Sequence, residues 1–374
     1  MSTRPTVARV DLDAIRSNLR AISSFLTSSR HTPVPKIIAV VKANAYGHGA
    51  AEVGPALEQA GAAMLACADI EEGIVLRRAG VRIPVLVFGA LGISDLHGVF
   101  QHYLTPTIST PSAARALQAA AAKHSAILKC HLKIDTGMNR LGFRHDNLAR
   151  TLPEVAASPN LSIEAVYTHF ATADEPESAA FGQQRERFEA ATATLKDLGI
   201  PTRTRHAANS AAVLRDERVW YDFVRPGLLL YGVVPPPLAA TLPLRPALSL
   251  KSRIVHVKGL RPGEGTGYGL HSVADQPRTI AVVPAGYADG LDRRLAGCGY
   301  MLVRGRRAPI VGSVCMDMTM IDVTGTDVAP GDEVVIIGEQ GGESLDAREI
   351  AASIGTIPYE LLCRVGARIE RVYA

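Results

Sequence analysis

Four stretches of the chain place a reactive or charged side chain directly after an apolar run. In AVVKANAYGHG (39–49) the apolar run ends on Lys42 and enters a glycine-bounded turn. A lysine at a strand end is partly desolvated, loses proton affinity and becomes an amine nucleophile able to form a Schiff base. HLKIDTGMNRLGF (131–143) bunches Lys133, Asp135 and Arg140 after a second run, and the planar fork of Arg140 suits a carboxylate in a way that lysine does not. RHAANSAAVL (205–214) offers Asn209 or Ser210 as the cap of a helix whose free N–H groups make a phosphate site. In DFVRPGLLLYG (222–232) Arg225 leaves a strand end and Gly227 permits close approach of backbone to a ligand. Each stretch has an ordinary alternative: a snorkelling lysine, a salt-bridged loop, a cap without a ligand, a surface arginine.

Further along, PGEGTGYGL (262–270) fits neither the dinucleotide fingerprint nor the phosphate-binding loop. It presents Tyr268 between two glycines that give it no side-chain cover, and a tyrosine beside a cation can serve as acid or base. GSVCMDM (312–318) and TIPYEL (356–361) read by periodicity as a strand and a helix start. The eleven histidines form no H-E-x-x-H, the cysteines no C-x-x-C, and no G-x-S-x-G is present, so metal and serine-hydrolase chemistries lack support.

The elements that must position these groups change character along the chain. Up to about residue 240, apolar runs at 37–41, 63–68, 85–88, 104–108, 127–134, 163–168, 204–207 and 221–224 alternate with amphipathic segments. Leu12, Ile15, Leu19 and Ile22 lie at helical spacing, and Thr110 with Pro111 reads as a cap and first turn. Eight strand and helix repeats predict a (β/α)8 barrel, with a doubly wound sheet as the alternative because the fourth and seventh runs are weak. In a barrel the C-terminal strand ends form the active-site face, where Lys42 would lie. After the proline-rich 233–246, β-branched runs at 252–257, 279–283, 301–303, 310–314, 318–323 and 333–337 follow without intervening helices. The expected fold is α/β plus β: a TIM-type barrel over 1–240 and a mainly-β domain over 241–374. One helix is expected at 346–353, with Asp346 as N-cap and Glu349 as its capping-box partner.

With 374 residues, 47% of them hydrophobic, the chain is too long for one ordinary core and too apolar for disorder. Forty basic against thirty-six acidic residues, with only one short RGRR run, argue against nucleic acid as a partner. Five dispersed cysteines, no signal-like segment and no apolar stretch of membrane-spanning length lead to an expectation of a cytoplasmic protein with reduced thiols and no membrane partner.

In order, AVVKANAYGHG, KIDTGMNRLGF, YTHFATAD (167–174), HAANSAA, VRPGLLLYG, GTGYG, PAGYADG (284–290), VCMDM and TIPYE resemble the alanine racemase family over nearly the whole chain. The resemblance implies a pyridoxal 5′-phosphate (PLP) enzyme interconverting L- and D-alanine, with a barrel, a β-domain and a head-to-tail homodimer whose active sites are shared. It implies Lys42 as the Schiff-base lysine and one catalytic base, and Tyr268 of the other subunit as the second. Arg225 is then expected at the pyridine nitrogen with His169 holding it, and the phosphate at Tyr46, Ser210, Gly227, Leu228 and Tyr359. Arg140 and the Met316 N–H of the other subunit would take the substrate carboxylate. Lys133 matches a lysine often carbamylated in the family. Tyr287 of the other subunit with Tyr359 would narrow the entrance, and Asp317 would help tune Tyr268. Two departures are Asn139, where some relatives carry glycine, and Met318, where glutamine is frequent. A broad-specificity amino-acid racemase, a PLP-dependent decarboxylase and a PLP carrier are the competing readings. The first typically carries a secretion signal. VCMD and the Tyr268 loop speak against the second, and about 130 further residues containing Tyr268 speak against the third.

Overall fold

In a computed structural model the described residues are 4–29, 31–91, 95–201, 203–239 and 242–374. The expected domain boundary at 240/241 lies outside them. The chain forms two units that a single cut does not separate: residues up to Ala14, Tyr46–Gly49 and Arg245–Ala374 make one, and Ile15–Ala45 with Ala50–Leu244 the other.

The second unit is the barrel. Its strands are Lys36–Val40, Met64–Cys67, Val85–Val87, Thr105–Ile108, Leu128–Asp135, Leu161–Tyr167, Thr204–Asn209 and Phe223–Arg225, here β2 to β9, with β1 (Val7–Val10) in the other unit. Every neighbouring pair is parallel, from Ile38 opposite Met64 round to Phe223 opposite Lys36, and Thr107 opposite His131 closes the ring between β5 and β6. Closure rules out the open doubly wound sheet. The fourth and seventh runs, weak in sequence, are ordinary members of the ring, and each borrows its order from two flanking strands.

Helix α1 (Leu12–Ser28) buries Ile15, Leu19, Ile22 and Leu26, the stripe that a 3.6-residue period brings onto one face. Helices α2 (Ala50–Gln59), α3 (Ile70–Arg78), α4 (Pro111–Lys123), α5 (Ala179–Asp197) and α6 (Ser210–Arg215) follow strands as a barrel requires. Thr110 caps α4 by accepting from the Ala113 N–H at 3.1 Å, and Pro111 sits in the first turn, where no donor is missed.

The other unit is built on one large, mostly antiparallel sheet. Its further strands are β10 (Leu248–Arg253), β11 (His256–Leu260), β12 (Arg278–Val283), β13 (Tyr300–Val303), β14 (Arg306–Val311), β15 (Thr319–Asp322), β16 (Glu333–Gln340), β17 (Glu343–Leu345) and β18 (Glu370–Tyr373). The order is β11, β12, β15, β14, β13, β16, β10, β1, β18, with β17 on β16. The run expected as one strand at 252–257 is broken at Ile254 and Val255, whose N–H groups turn to Asp332 and Val282. Helix α7 (Ala347–Ser353) is capped by Asp346, which accepts from the Arg348 and Glu349 N–H groups at 2.7 and 2.8 Å. The reciprocal half of the expected capping box is absent among the described residues, because the Glu349 carboxylate pairs with Arg307 instead. A final helix, α8 (Pro358–Cys363), carries Tyr359. No described helix is long and apolar enough to cross a membrane.

Candidate active site

At the C-terminal end of β2 the chain does something costly. Ala43, Asn44, Ala45 and Tyr46 follow Lys42 with φ of 52, 53, 56 and 53°, one turn of left-handed helix without a glycine. Each such residue costs roughly 1 to 2 kcal/mol against the right-handed form. Specific bonds offset this. Glu72 on α3 accepts the Ala43 N–H on one carboxylate oxygen (2.6 Å) and the Ala68 N–H on the other (2.7 Å). Asn44 Oδ1 accepts the Ala50 N–H at the start of α2 (2.8 Å), and the Ala45 N–H reaches Val41 O (2.8 Å). The turn leaves Lys42 half-buried at the rim of the ring.

The neighbouring strand end carries Arg225. The Val40 N–H donates to Pro226 O at 3.0 Å, so the approaches to Lys42 and Arg225 lie side by side. Arg225 is 3% exposed, and none of its described hydrogen-bond partners is a carboxylate. One terminal nitrogen donates to His206 Nδ1 (2.8 Å). The other donates to Thr168 O and Ala207 O (2.8 Å each) and to His169 Nδ1 (3.1 Å). The Nε–H has no partner among the described residues. Burial lowers the guanidinium to about 10. Burial, then the facing arginine, holds His169 and His206 far below the ordinary imidazole range, so both rings are neutral.

Lys133 and Arg140 share a small cleft with Asp135, Met138, Thr168 and His169. Asp135 Oδ1 accepts the N–H groups of Gly137 and Asn139 (3.0 Å each), which shapes the loop that carries Arg140. Gly142 has φ of 125°, and a Cβ there would meet the Asp135 nitrogen at 2.7 Å, so this loop requires glycine. Arg140 is exposed and has no hydrogen-bond or ion-pair partner among the described residues. The Lys133 ammonium lies 5.6 Å from the Tyr167 ring centroid, and burial, then Arg140, brings it down to about 8. From α5, Gln184 ties Thr136 to the His169 carbonyl (3.2 and 3.0 Å) and fixes two strand ends together.

Asn209 caps α6, accepting from the Ala212 N–H at 3.0 Å. Ser210 Oγ receives the Gly227 N–H at 2.9 Å and the Leu229 N–H at 3.4 Å, so Ser210 and the Gly227 turn form one polar cluster with Leu228 buried beside it. Lys42, Lys133, Arg140, His169, Asn209, Ser210, Arg225, Gly227 and Leu228 therefore all belong to the barrel unit.

The remaining expected residues belong to the β unit. Tyr46 and Tyr359 face each other with ring centroids 5.9 Å apart, and burial raises the Tyr46 phenol above its usual range. Tyr268 is 77% exposed on a short turn between Gly267 and Gly269, both at positive φ; Ser313 Oγ donates to its carbonyl at 2.8 Å. Tyr287 and Met316 are joined through the backbone: the Tyr287 N–H donates to Cys315 O (2.9 Å) and the Ala288 N–H to Met316 O (3.1 Å). Gly286 makes this possible, since a Cβ there would lie 2.3 Å from Cys315 O. Asp317 pairs with Arg368 at 2.7 Å and has no bond to Tyr268 among the described residues. Arg368 also holds the fully buried Asp289 and the Met316 carbonyl, which ties the 315–317 loop to the turn of Tyr287.

Glu72, Gln184, His131, His206 and Arg368 were not singled out by the sequence. Their partners are distant along the chain, and no motif marks them. Among the described residues no cluster of histidine, cysteine or carboxylate side chains could hold a metal ion.

Comparison with known proteins covers nearly the whole chain. The family model described as "Alanine racemase, N-terminal domain" matches residues 10–235, and "Alanine racemase, C-terminal domain" matches 247–373. The chain is 42% identical over 373 residues to an alanine racemase of Halothermothrix orenii, covering 99% of this chain and 97% of the relative. It is 43% identical to one of Carboxydothermus hydrogenoformans, covering 99% and 100%. Among solved structures, alanine racemase from D-cycloserine-producing Streptomyces lavendulae superposes with a TM-score of 0.95 at 34% identity, covering 100% of this chain and 98% of that one. That from Bacillus anthracis with bound L-Ala-P gives 0.91 at 37%, covering 100% and 96%. With matches of this identity spanning both units, the chain belongs to the alanine racemase family.

Proposed function

We propose that this protein is an alanine racemase that uses PLP, acts on L- and D-alanine, and works as a head-to-tail homodimer. The observation that carries the proposal is Arg225. A buried guanidinium with no acid beside it and a spare Nε–H suits an aromatic ring nitrogen that must keep its lone pair, and does not suit one that must be protonated. In the barrel unit the donor set fits the rest of the cofactor: an amine at Lys42, and a phosphate cradle from Ser210, the Gly227 turn with the Leu228 N–H, and the capped start of α6 at Asn209; the family resemblance adds the phenols of Tyr46 and Tyr359. Ser210 Oγ, which already receives two N–H groups, has its O–H donor left for a phosphate oxygen.

When bound, PLP supplies a conjugated ring that takes up the electrons released as the substrate Cα–H bond breaks. The protein residues do the proton work. The Lys42 Nζ removes the Cα proton of D-alanine, and the phenolic oxygen of Tyr268 of the partner subunit removes that of L-alanine. In each direction the opposite base delivers a proton to the other face, so the configuration inverts. Arg140, free of other acids, clamps the substrate carboxylate together with the Met316 N–H of the partner subunit, and carbamylated Lys133 holds Arg140 in place. His169 and Arg225 stay hydrogen-bonded, and the neutral imidazole leaves the arginine as the charge beside the ring. Tyr287 and Tyr359 limit the side chain to about a methyl group, and Asp317, fixed by Arg368, belongs to the entrance. Exposure of Tyr268, Tyr287 and Met316 on the β unit supports their covering by a second copy. A cytoplasmic enzyme supplying D-alanine for peptidoglycan is the setting we propose, in keeping with five free cysteines.

The test is chiral chromatography of L-alanine incubated with PLP-loaded protein, with L-serine and L-lysine in parallel. Conversion of alanine alone toward an equal mixture is expected. Equal conversion of all three would establish a broad-specificity racemase, and no conversion with PLP bound would favour a decarboxylase or carrier.

A further inference from the structure

Arg225 is one end of a buried chain of side chains that no cofactor contact requires. Its terminal nitrogen donates to His206 Nδ1 at 2.8 Å, and His206 Nε2 lies 3.0 Å from His131 Nδ1. His206 is completely buried and His131 is 4% exposed. Tyr167 stacks on His206 with ring centroids 4.6 Å apart and an interplanar angle of 10°, and is itself anchored by Thr107 at 3.0 Å.

A guanidinium has only donors, so the direction of the chain follows from it. His206 Nδ1 must carry a lone pair, and a neutral His206 therefore carries its proton on Nε2. That proton points at His131 Nδ1, which must accept it, leaving the His131 proton on Nε2. Burial, then Arg225, pushes the His131 ring down to about 3, in keeping with two neutral rings. The other tautomer of His206 would turn an N–H toward the guanidinium in a space closed to water, where two facing donors leave both unsatisfied.

We propose that His131 is a positioning residue for Arg225: by accepting from His206 Nε2 it holds His206 in the one tautomer whose Nδ1 receives the guanidinium. The arginine then has four fixed acceptors, His206 Nδ1, His169 Nδ1, Thr168 O and Ala207 O, which set the orientation of the guanidinium and so of its Nε–H. Without His131 either tautomer of His206 leaves a buried donor unsatisfied, the Nε2–H in one and the N–H facing Arg225 in the other, so the preference for Nε2 narrows. His131 touches neither substrate nor cofactor in this account. Its consequence for turnover rests on the proposed function, whereas the tautomer does not.

The experiment compares the holoenzyme with His131→Leu and His131→Asn. Asparagine restores an acceptor oxygen near the place of Nδ1, and leucine does not. Long-range ¹H–¹⁵N spectra of ring-labelled protein are expected to show His206 protonated on Nε2 only in the wild type and in His131→Asn, and mixed between its nitrogens in His131→Leu. For His131→Leu, kcat falls roughly ten- to a hundredfold, by analogy with the range seen when an outer partner that orients a metal-bound histidine is removed, while KM for alanine stays near the wild-type value. The absorption band of bound PLP shifts as well, and His131→Asn recovers most of kcat and the band. A His206 protonated on Nδ1 in the wild type overturns the proposal even if His131→Leu does not fold. So does a folded His131→Leu with wild-type kcat, or a folded His131→Asn as impaired as leucine. A wild type that holds the expected tautomer but racemises nothing would instead overturn the proposed function.

Discussion

Burial changes what a lysine can be, and Lys133 is the clearest case. Its ammonium lies under Arg140 in a cleft that also feels Arg225 and Lys42, and it titrates near pH 8. In an unfolded chain the same group titrates near 10.4, so between about pH 8 and 10.4 the unfolded state binds more protons. Stability contributed by this group therefore rises with pH across that window, and below it the full penalty of a buried charge is present, on the order of 3 kcal/mol before relaxation. Carbamylation removes the penalty by replacing the cation with an anion facing Arg140. It also needs the unprotonated amine, which this site supplies at mild pH. Protein equilibrated with ¹³C-bicarbonate at pH 8 to 9 is expected to show one carbamate carbonyl resonance that Lys133→Met abolishes. The same substitution should raise KM for alanine several-fold, because Arg140 loses the group that orients it. A bicarbonate spectrum identical in wild type and Lys133→Met would exclude the modification.

At the level of elements, the site is held by bonds that cross between strand ends, and Glu72 is the plainest. One carboxylate satisfies two backbone donors, one on each side of the β2 and β3 ends, and so stabilises the left-handed turn after Lys42. Glu72→Gln keeps one acceptor and sets an amide N–H against the other donor. The expected result is a loss of about 1 to 3 kcal/mol in unfolding free energy and weaker PLP retention on dialysis. Unchanged melting and retention would show that the turn stands without it. This residue also shows why part of the site was not legible. Lys42, Asn209 and Arg225 could be found because each ends an apolar run and Arg140 because it follows one closely, and the ring of strands could be counted from those runs. Glu72, Gln184, His131 and His206 lie inside helical or strand patterns where a polar residue reads as filler. Their importance depends on partners that only the closed barrel brings near. The same cause broke the 252–257 strand at Ile254 and drew Glu349 from its capping box to Arg307: a tertiary partner outbid the local one.

At the scale of the whole molecule, the question is which chain completes which site. Tyr268, Tyr287 and Met316 stand 77, 42 and 51% exposed on the β unit, with Leu270 and Met318 also uncovered. An acid or base in water gains nothing from preorganised surroundings, and apolar side chains gathered near it are what an interface would cover. If Tyr268 works in the partner's site, the two catalytic bases of each site come from different chains, and inactive chains can then complement one another. Lys42→Ala and Tyr268→Ala are each expected to abolish racemisation. Mixed in equal amounts and reassorted, random pairing makes half of the dimers mixed. Each mixed dimer holds one site with both wild-type bases and one with neither, so activity should return to about a quarter of the wild-type value. Should both bases of a site come from one chain, every site in the mixture would lack one of them and no activity would return. The single variants separate the two roles further. On the proposed mechanism Lys42→Ala is expected to lose the visible absorption of lysine-bound PLP and Tyr268→Ala to keep it, because that mechanism gives the tyrosine the substrate proton and no part in anchoring the cofactor.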